Sequence, residues 1–197
     1  MAVVEEAAES KTDRGEAVGN EAGPERRATL VPMTSPVYAE AMAWLFEEAE
    51  LLDANDFYPW LEMLAPDLHY TMPVRATVRR ADGPGILRGN HHFDETLGSL
   101  TIRARRFLEA TEYAEDPPSR MRRFVSNIRV RDDGSDELDV RSYLLVLRSR
   151  FDSPAFEIIC CDRRDVLRRT PEGLKLTRRE IIVDQSTIGT VNLALFL

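Results

Sequence analysis

Arg103–Val130 reads RARRFLEATEYAEDPPSRMRRFVSNIRV, and the turn inside it divides the chain. Proline lacks the backbone N–H and its ring clashes with the preceding helical turn, so no helix runs through Pro117-Pro118. The residue before a proline is pushed toward extended geometry as well. The chain therefore turns at Asp116–Ser119 and restarts at Met121. From there Phe124, Ser126, Ile128 and Val130 recur with a period of two, which predicts a strand with those four on one face. The part of the chain before the turn reads as mostly helical, and the part after it reads as sheet.

Working outward toward the N-terminus, Asn90 is positioned to cap a helix over His91–Phe107 that carries Phe93, Leu97 and Leu100 inward. Gly98 weakens that helix by about 1 kcal/mol relative to alanine. Asp82-Gly83-Pro84-Gly85 is a loop. Leu68–Val74 reads as a strand that Thr77–Arg80 could continue, with Pro66-Asp67 a turn before it. Ser35-Pro36 is a helix start, a capping hydroxyl followed by proline at the first helical position. Tyr38, Ala41, Leu45, Ala49 and Leu52 then repeat at three or four residues, predicting an amphipathic helix over Pro36–Ala54. A short second helix spans Phe57–Leu64. Residues 1–34 lack apolar periodicity and are expected to form an acidic flexible tail, leaving 35–197 as a single domain.

Toward the C-terminus, four strands are expected over Met121–Arg131, Glu137–Arg150, Ala155–Arg168 and Leu174–Asp184. Short turns at Asp132–Ser135, Asp152–Pro154 and Thr170–Gly173 make successive strands antiparallel neighbours. Helices leading into such a meander give an α+β domain with helices on one face of a curved sheet. The apolar segment Ile188–Leu197 is expected to dock on the body.

Composition narrows the function. A net charge of −8 disfavours nonspecific nucleic-acid binding. No apolar run approaches the ~20 residues of a membrane-spanning helix, and Glu5, Glu6 and Glu9 replace the basic-then-apolar order of a signal peptide. Cys160 and Cys161 are the two cysteines of the chain. As strand neighbours they point to opposite faces, so they read as buried thiols of a reducing cytoplasm rather than a disulfide. They also lack the spacing of zinc or iron–sulfur ligands. His91, His92 and Asp94 are close in sequence, but neighbours on a helix lie about 100° apart and would not converge on a metal. An acid–base pocket could draw on Asp53, Asp56, His69 and Tyr70, although both aspartates equally end or cap helices.

The arginines stand out. Arg120, Arg122 and Arg123 flank the Pro-Pro turn, and Arg163, Arg164, Arg168, Arg169, Arg178 and Arg179 sit on the last two strands, interleaved with Asp162, Asp165, Glu172 and Glu180. Alternating signs suit cross-strand pairs on a solvated face or a polar protein interface.

Four stretches resemble one known family. They are Glu48–Asp53 with Trp60, Leu61 and Leu64; Asp67, Tyr70 and Met72-Pro73; Phe93–Thr96 running through Arg103 and Arg106 to Glu115–Arg120 and Val125–Asn127; and Arg163–Arg168 with Arg179 and Asp184. Together they resemble the small (beta) subunit of bacterial aromatic-ring-hydroxylating dioxygenases, the Rieske non-haem iron oxygenases. Tyr113 stands in for an aromatic usual just before the Pro-Pro turn, and Cys161 is near a position where a small residue is common.

The resemblance implies a cone-shaped barrel similar to nuclear transport factor 2 and scytalone dehydratase. It implies no catalytic, cofactor-binding or metal-binding residue in this chain. The Rieske 2Fe-2S cluster and the mononuclear iron would belong to an alpha subunit, with electrons supplied by a ferredoxin and reductase. The assembly would be an alpha3beta3 hexamer with beta–beta trimer contacts, in the cytoplasm, converting an aromatic ring and O2 to a cis-dihydrodiol. Arg120, Arg122, Arg163, Arg168 and Arg179 would then serve the subunit interface. The alternatives on the same fold are a stand-alone dehydratase or isomerase, and a binding module for a small apolar ligand.

Overall fold

The computed structural model describes residues 28–108 and 117–197. Strands β1 (Thr29–Leu30), β2 (Leu64–Arg75), β3 (Ile86–Glu95), β4 (Arg120–Asp132), β5 (Glu137–Ser149), β6 (Phe156–Thr170) and β7 (Gly173–Val183) form one sheet in the order β1-β4-β5-β6-β7-β2-β3. All neighbours are antiparallel except β2 and β7, which run parallel. Helices α1 (Pro36–Ala54), α2 (Phe57–Glu62) and α3 (Leu97–Leu108) cover one face. This is the expected α+β class.

The first helix has the expected bounds because its ends are chemically specified. Ser35 accepts a hydrogen bond from Val37 N–H at 3.3 Å, Pro36 takes the first turn, and Asn55 closes the helix in the left-handed conformation. Its buried stripe is Tyr38, Ala41, Trp44, Leu45, Glu48 and Leu52. A carboxylate inside an apolar stripe is the first sign of what fills the interior.

Several expectations are corrected. His91 and His92 lie on a strand, because Asn90–Glu95 belongs to β3 and pairs with β2 from Tyr70↔Glu95 to Arg75↔Ile86. The helix begins only at Leu97. Thr96 N–H donates to Ser99 Oγ at 2.9 Å and Ser99 N–H to Thr96 Oγ1 at 3.4 Å, a reciprocal cap that fixes the start well beyond Asn90. Two long strands therefore precede the Pro-Pro turn, and the first part of the chain is not mostly helical. Pro66-Asp67 is an irregularity inside β2 rather than a turn, lying between the pairings Leu64↔Leu176 and His69↔Arg178. The second helix ends at Glu62, so Leu64 opens β2, and Thr77–Arg80 leads into a short 3-10 turn at Arg80–Asp82 instead of extending the strand.

The boundary at residue 35 also moves. Thr29 and Leu30 pair with Asp132 and Arg131, and Val31 N–H donates to Val130 O at 2.9 Å. The rest of the expected tail, residues 1–27, and the segment holding Tyr113, Glu115 and Asp116, lie outside the described residues.

The strand after the Pro-Pro turn does not keep one phase. Arg123 and Val130 are buried while Phe124 and Ser126 face outward. Ser126 pairs with Tyr143, yet Arg129 pairs with Arg141, so β4 spends one extra residue there. That residue count marks a β-bulge, and Asn127 inside it has φ 53°. Odd-numbered residues face the helices before the bulge and even-numbered ones after it. Asparagine tolerates the left-handed region, whereas a β-branched residue there is strained. Asn127→Ile is expected to destabilise the fold by about 1–2 kcal/mol, and Asn127→Gly to cost less. Denaturant midpoints of the two variants check this, and equal midpoints would contradict it.

Candidate functional site: a filled interior and an open sheet face

The space between helices and sheet is occupied by charge in matched pairs. Glu48 comes from α1, Arg163 and Asp165 from β6, and Arg179 from β7; the side chains of Glu48, Arg163, Arg179 and Asp165 are at most 1% exposed. Arg179 Nη1 donates to Glu48 Oε1 at 2.7 Å and to Leu197 O at 3.0 Å. Its Nη2 donates to Glu48 Oε2 at 2.9 Å and to Asp165 Oδ2 at 2.7 Å, and its Nε to Asp165 Oδ1 at 2.8 Å. Those bonds engage all five N–H donors of a guanidinium. Arg163 Nη1 adds a bond to Glu48 Oε2 at 2.9 Å, and Trp60 Nε1 one to Glu48 Oε1 at 3.3 Å. Two carboxylates face two guanidiniums, so the charges of these four residues balance.

Burial alone would raise the Glu48 carboxyl, but the charges of Arg179 and Arg163 outweigh it and hold the group below the ordinary carboxylate range. A general base needs a free lone pair facing substrate. Glu48 has four donors on two oxygens and no open side.

The C-terminal segment closes what remains. Leu195, Phe196 and Leu197 are buried, as expected for the apolar end of the chain. The segment has no ladder of its own, and arginines take its carbonyls instead. Arg148 binds Asn192 O at 3.1 Å, Arg103 binds Leu193 O at 3.3 Å and Leu195 O at 3.0 Å, and Arg123 binds Phe196 O at 2.7 Å. Tyr70 O–H donates to Leu197 O at 2.7 Å and accepts from Leu197 N–H at 2.9 Å.

The candidate acid–base residues do not converge. Tyr70 is buried against Leu197, and desolvation raises its hydroxyl despite the opposing Arg179 charge. His69, the preceding residue, faces the other side of the sheet and sits 3.0 Å from Asp94 with its side chain 61% exposed. Asp53 Oδ1 accepts from Arg123 at 2.7 Å. Asp56 precedes α2 and makes no side-chain cap bond. Cys161 faces inward, where burial pushes its thiol up to about 12, while Cys160 is half-buried. Two thiols on opposite faces do not fit an iron–sulfur cluster.

Among the proposed interface arginines, Arg163 and Arg179 are corrected. Both belong to the interior network and present nothing to a partner. Parity could have revealed this, since Arg163 and Asp165 alternate in step with the buried Ile159, Cys161 and Leu167. Arg120, Arg122 and Arg168 lie at the surface. Arg120 donates to Ser149 Oγ at 3.2 Å and Phe151 O at 2.8 Å, Arg122 lies 3.7 Å from Asp53, and Arg168 bridges Asp67 and Glu137, each at 3.0 Å.

The face of the sheet turned away from the helices has two halves. One is apolar: Phe124, Tyr143, Phe156 and Ile158 are between 42% and 60% exposed. The other is charged and holds a groove of about 860 Å³ lined by His69, Arg88, Arg129, Arg141, Arg164, Arg178 and Glu180 among others. Within it Arg141 grips Asp162 at 2.7 and 2.8 Å, and Arg88 grips Glu180 at 2.6 and 3.2 Å.

Comparison with known proteins gives the family and the fold. Residues 47–190 match the ring hydroxylating beta subunit family. The beta subunit of biphenyl 2,3-dioxygenase from Rhodococcus jostii is 34% identical, over 86% of this chain and 94% of that protein. A chain of naphthalene 1,2-dioxygenase, solved with indole bound in the active site, superposes with a TM-score of 0.71 at 25% identity, covering 81% of this chain and 84% of the other. A scytalone dehydratase-type protein from Novosphingobium aromaticivorans shares the fold, with a TM-score of 0.56 at 17% identity over 78% and 88% of the two chains.

Removing one charge from the interior leaves the others unpaired, which costs about 3–5 kcal/mol. Glu48→Gln is expected to lose stability on that scale at neutral pH. Because the folded carboxyl lies below its unfolded value, the stabilisation is present above about pH 4.3 and fades as pH falls through the folded value. The gap between wild type and variant should therefore narrow in acid. Urea unfolding across a pH series checks this, and a gap that widens in acid would contradict it.

Proposed function

The chain belongs to the ring hydroxylating beta subunit family, and from that premise we propose how it serves a dioxygenase. It is the non-catalytic beta subunit of an aromatic-ring-hydroxylating dioxygenase, a system that adds both atoms of O2 to an aromatic ring to give a cis-dihydrodiol, and it pairs with an alpha subunit. The single observation that carries the structural role is the interior: the space in which a cavity enzyme would hold substrate is filled by Glu48, Arg163, Arg179 and Asp165 and closed by Leu195–Leu197. A dehydratase or isomerase would need an open pocket there. The sheet face away from the helices, with its exposed apolar half and its ion-paired groove, is the surface left for partners.

The finer organisation is part of the same proposal. The Rieske cluster and mononuclear iron reside in the alpha subunit, electrons reach alpha from a ferredoxin and reductase, and three alpha with three beta subunits form the hexamer. The complex works in the cytoplasm; no helix among the described residues is long and apolar enough to cross a membrane. Exposed aromatic and aliphatic side chains supply the apolar centre of the subunit interface, and Arg120, Arg122 and Arg168 its polar rim. Arg120 also fastens the β5–β6 connection through Phe151 O.

Coproduction with the alpha subunit tests this. Ile158→Asp and Phe124→Asp put a charge at the centre of the proposed interface, where burying an unpaired carboxylate is costly. Both are expected to shift the native mass from six subunits toward free chains. As surface substitutions they should change the stability of the isolated chain by only about 0.5 kcal/mol. An intact hexamer with both variants would contradict the placement of the interface, and wild-type chains that never associate with alpha would contradict the function itself.

A further inference from the structure

On the helix side of the sheet, away from the proposed partner surface, a pocket of about 230 Å³ remains beside the closed interior. Its wall is mostly aromatic and apolar, with Phe57, Phe107, Phe196, Met121, Ala194 and Leu108, and it also holds the polar Asn55 and Ser119. The three phenylalanines form a mutual cluster, with ring centroids 5.3 to 5.7 Å apart in tilted and edge-on arrangements. One charged side chain, Arg123, lines the same pocket.

Arg123 is held rigidly. Its side chain is 1% exposed, Nη1 donates to Asp53 Oδ1 at 2.7 Å, and Nη2 donates to Phe196 O at 2.7 Å. Its Nε is buried as well, and no acceptor among the described residues reaches it. The pattern differs from Arg179, whose five donors are all engaged. A buried donor is costly to leave unpaired, and here it belongs to a side chain lining a pocket whose other walls are apolar apart from Asn55 and Ser119. Apolar lining with a few fixed polar groups is the usual composition of a small-molecule site.

We propose that this pocket binds a single-ring aryl carbonyl compound. The ring would stand against the mutually packed Phe57, Phe107 and Phe196, and the carbonyl oxygen would reach Arg123 Nε by displacing the wall that covers it. The volume fits that class: a cavity of roughly 150 Å³ takes benzene, and 230 Å³ leaves room for one short substituent. The acid and the ketone share the required oxygen. The acid has an added advantage, because Arg122 and Arg123 both approach Asp53, two cations around one carboxylate. The site is separate from ring hydroxylation and places an aromatic-sensing element in the subunit that performs no chemistry.

Methyl-labelled methionine gives a local reporter, since Met121 is one of six methionines and lies in the pocket wall. The full-length chain is titrated with benzoate, acetophenone and toluene. The Met121 methyl resonance, assigned through Met121→Leu, is expected to move saturably with benzoate and acetophenone. Toluene, which lacks the oxygen, is expected to bind about fivefold more weakly. Ala194→Leu fills the pocket and should abolish the shift; if that variant does not fold, Leu108→Trp takes its place. A Met121 methyl that neither oxygen-bearing probe moves would overturn the proposal. So would toluene binding as tightly as acetophenone, or binding that survives the filled pocket.

Discussion

Arg179 joins more elements of the structure than its position on one strand suggests. From β7 it reaches Glu48 on α1, Asp165 on β6 and the backbone of Leu197, so one guanidinium ties helix, sheet and C-terminal segment together. The arrangement is demanding rather than cheap. Ions taken out of water recover that cost only when geometry and pairing are nearly complete, and burial opposes the charge on Arg179 before Asp165 and Glu48 more than restore it. What the network supplies is position. A helix that slid along the sheet would leave Glu48 unpaired in a dry interior.

The same logic extends along the segment after β7. A chain with no ladder leaves its carbonyls without partners, and a buried carbonyl needs a donor. Arg148, Arg103, Arg123 and Arg179 supply donors in succession from four different elements. Arg103 also lies over the rings of Phe93 and Phe196 at 4.3 and 5.0 Å, so its charge is held by aromatic faces as well as by carbonyls. The richness in arginine has a partly internal explanation: two of the arginines that suggest a partner when read in one dimension, Arg123 and Arg179, hold the C-terminal segment in place. The interior thereby becomes a solid joint between helices, sheet and C-terminal segment.

Much of this is legible in the residues. Ser35-Pro36 and an unbroken stripe define the first helix, and short turns between alternating runs define the four last strands. The departures have local physical causes. β3 is an edge strand, exposed along most of its length, so its polar residues show no period of two, and Phe93, Leu97 and Leu100 imitate a helical stripe across the junction at Thr96. The phase of β4 is hidden because one extra residue at Asn127 exchanges the two faces. The interior network escapes a sequence reading for a different reason. Residue type alone assigns charge to the surface, although Glu48 stands in an apolar stripe and Arg163 and Asp165 share the parity of buried neighbours. Arg179 meets Asp165 through the register of the β6–β7 hairpin, but which arginines meet Glu48 depends on how α1 lies across the sheet, a long-range contact that no local pattern announces.

The two adjacent cysteines mark the two faces, and they allow a direct test of the central claim that the inner face is closed and the outer face is for partners. Cys160 is half-buried on the outer face with its thiol raised by partial burial and by Asp184, and Cys161 is sealed inside. Maleimide labelling at alkaline pH, resolved by peptide mass spectrometry, would compare the isolated chain with the chain assembled on its alpha subunit. The account predicts that Cys160 of the isolated chain reacts, that Cys161 does not, and that assembly slows Cys160. Rapid labelling of Cys161 would show an open interior, and an unchanged Cys160 rate in the complex would show that the outer face is not where partners bind.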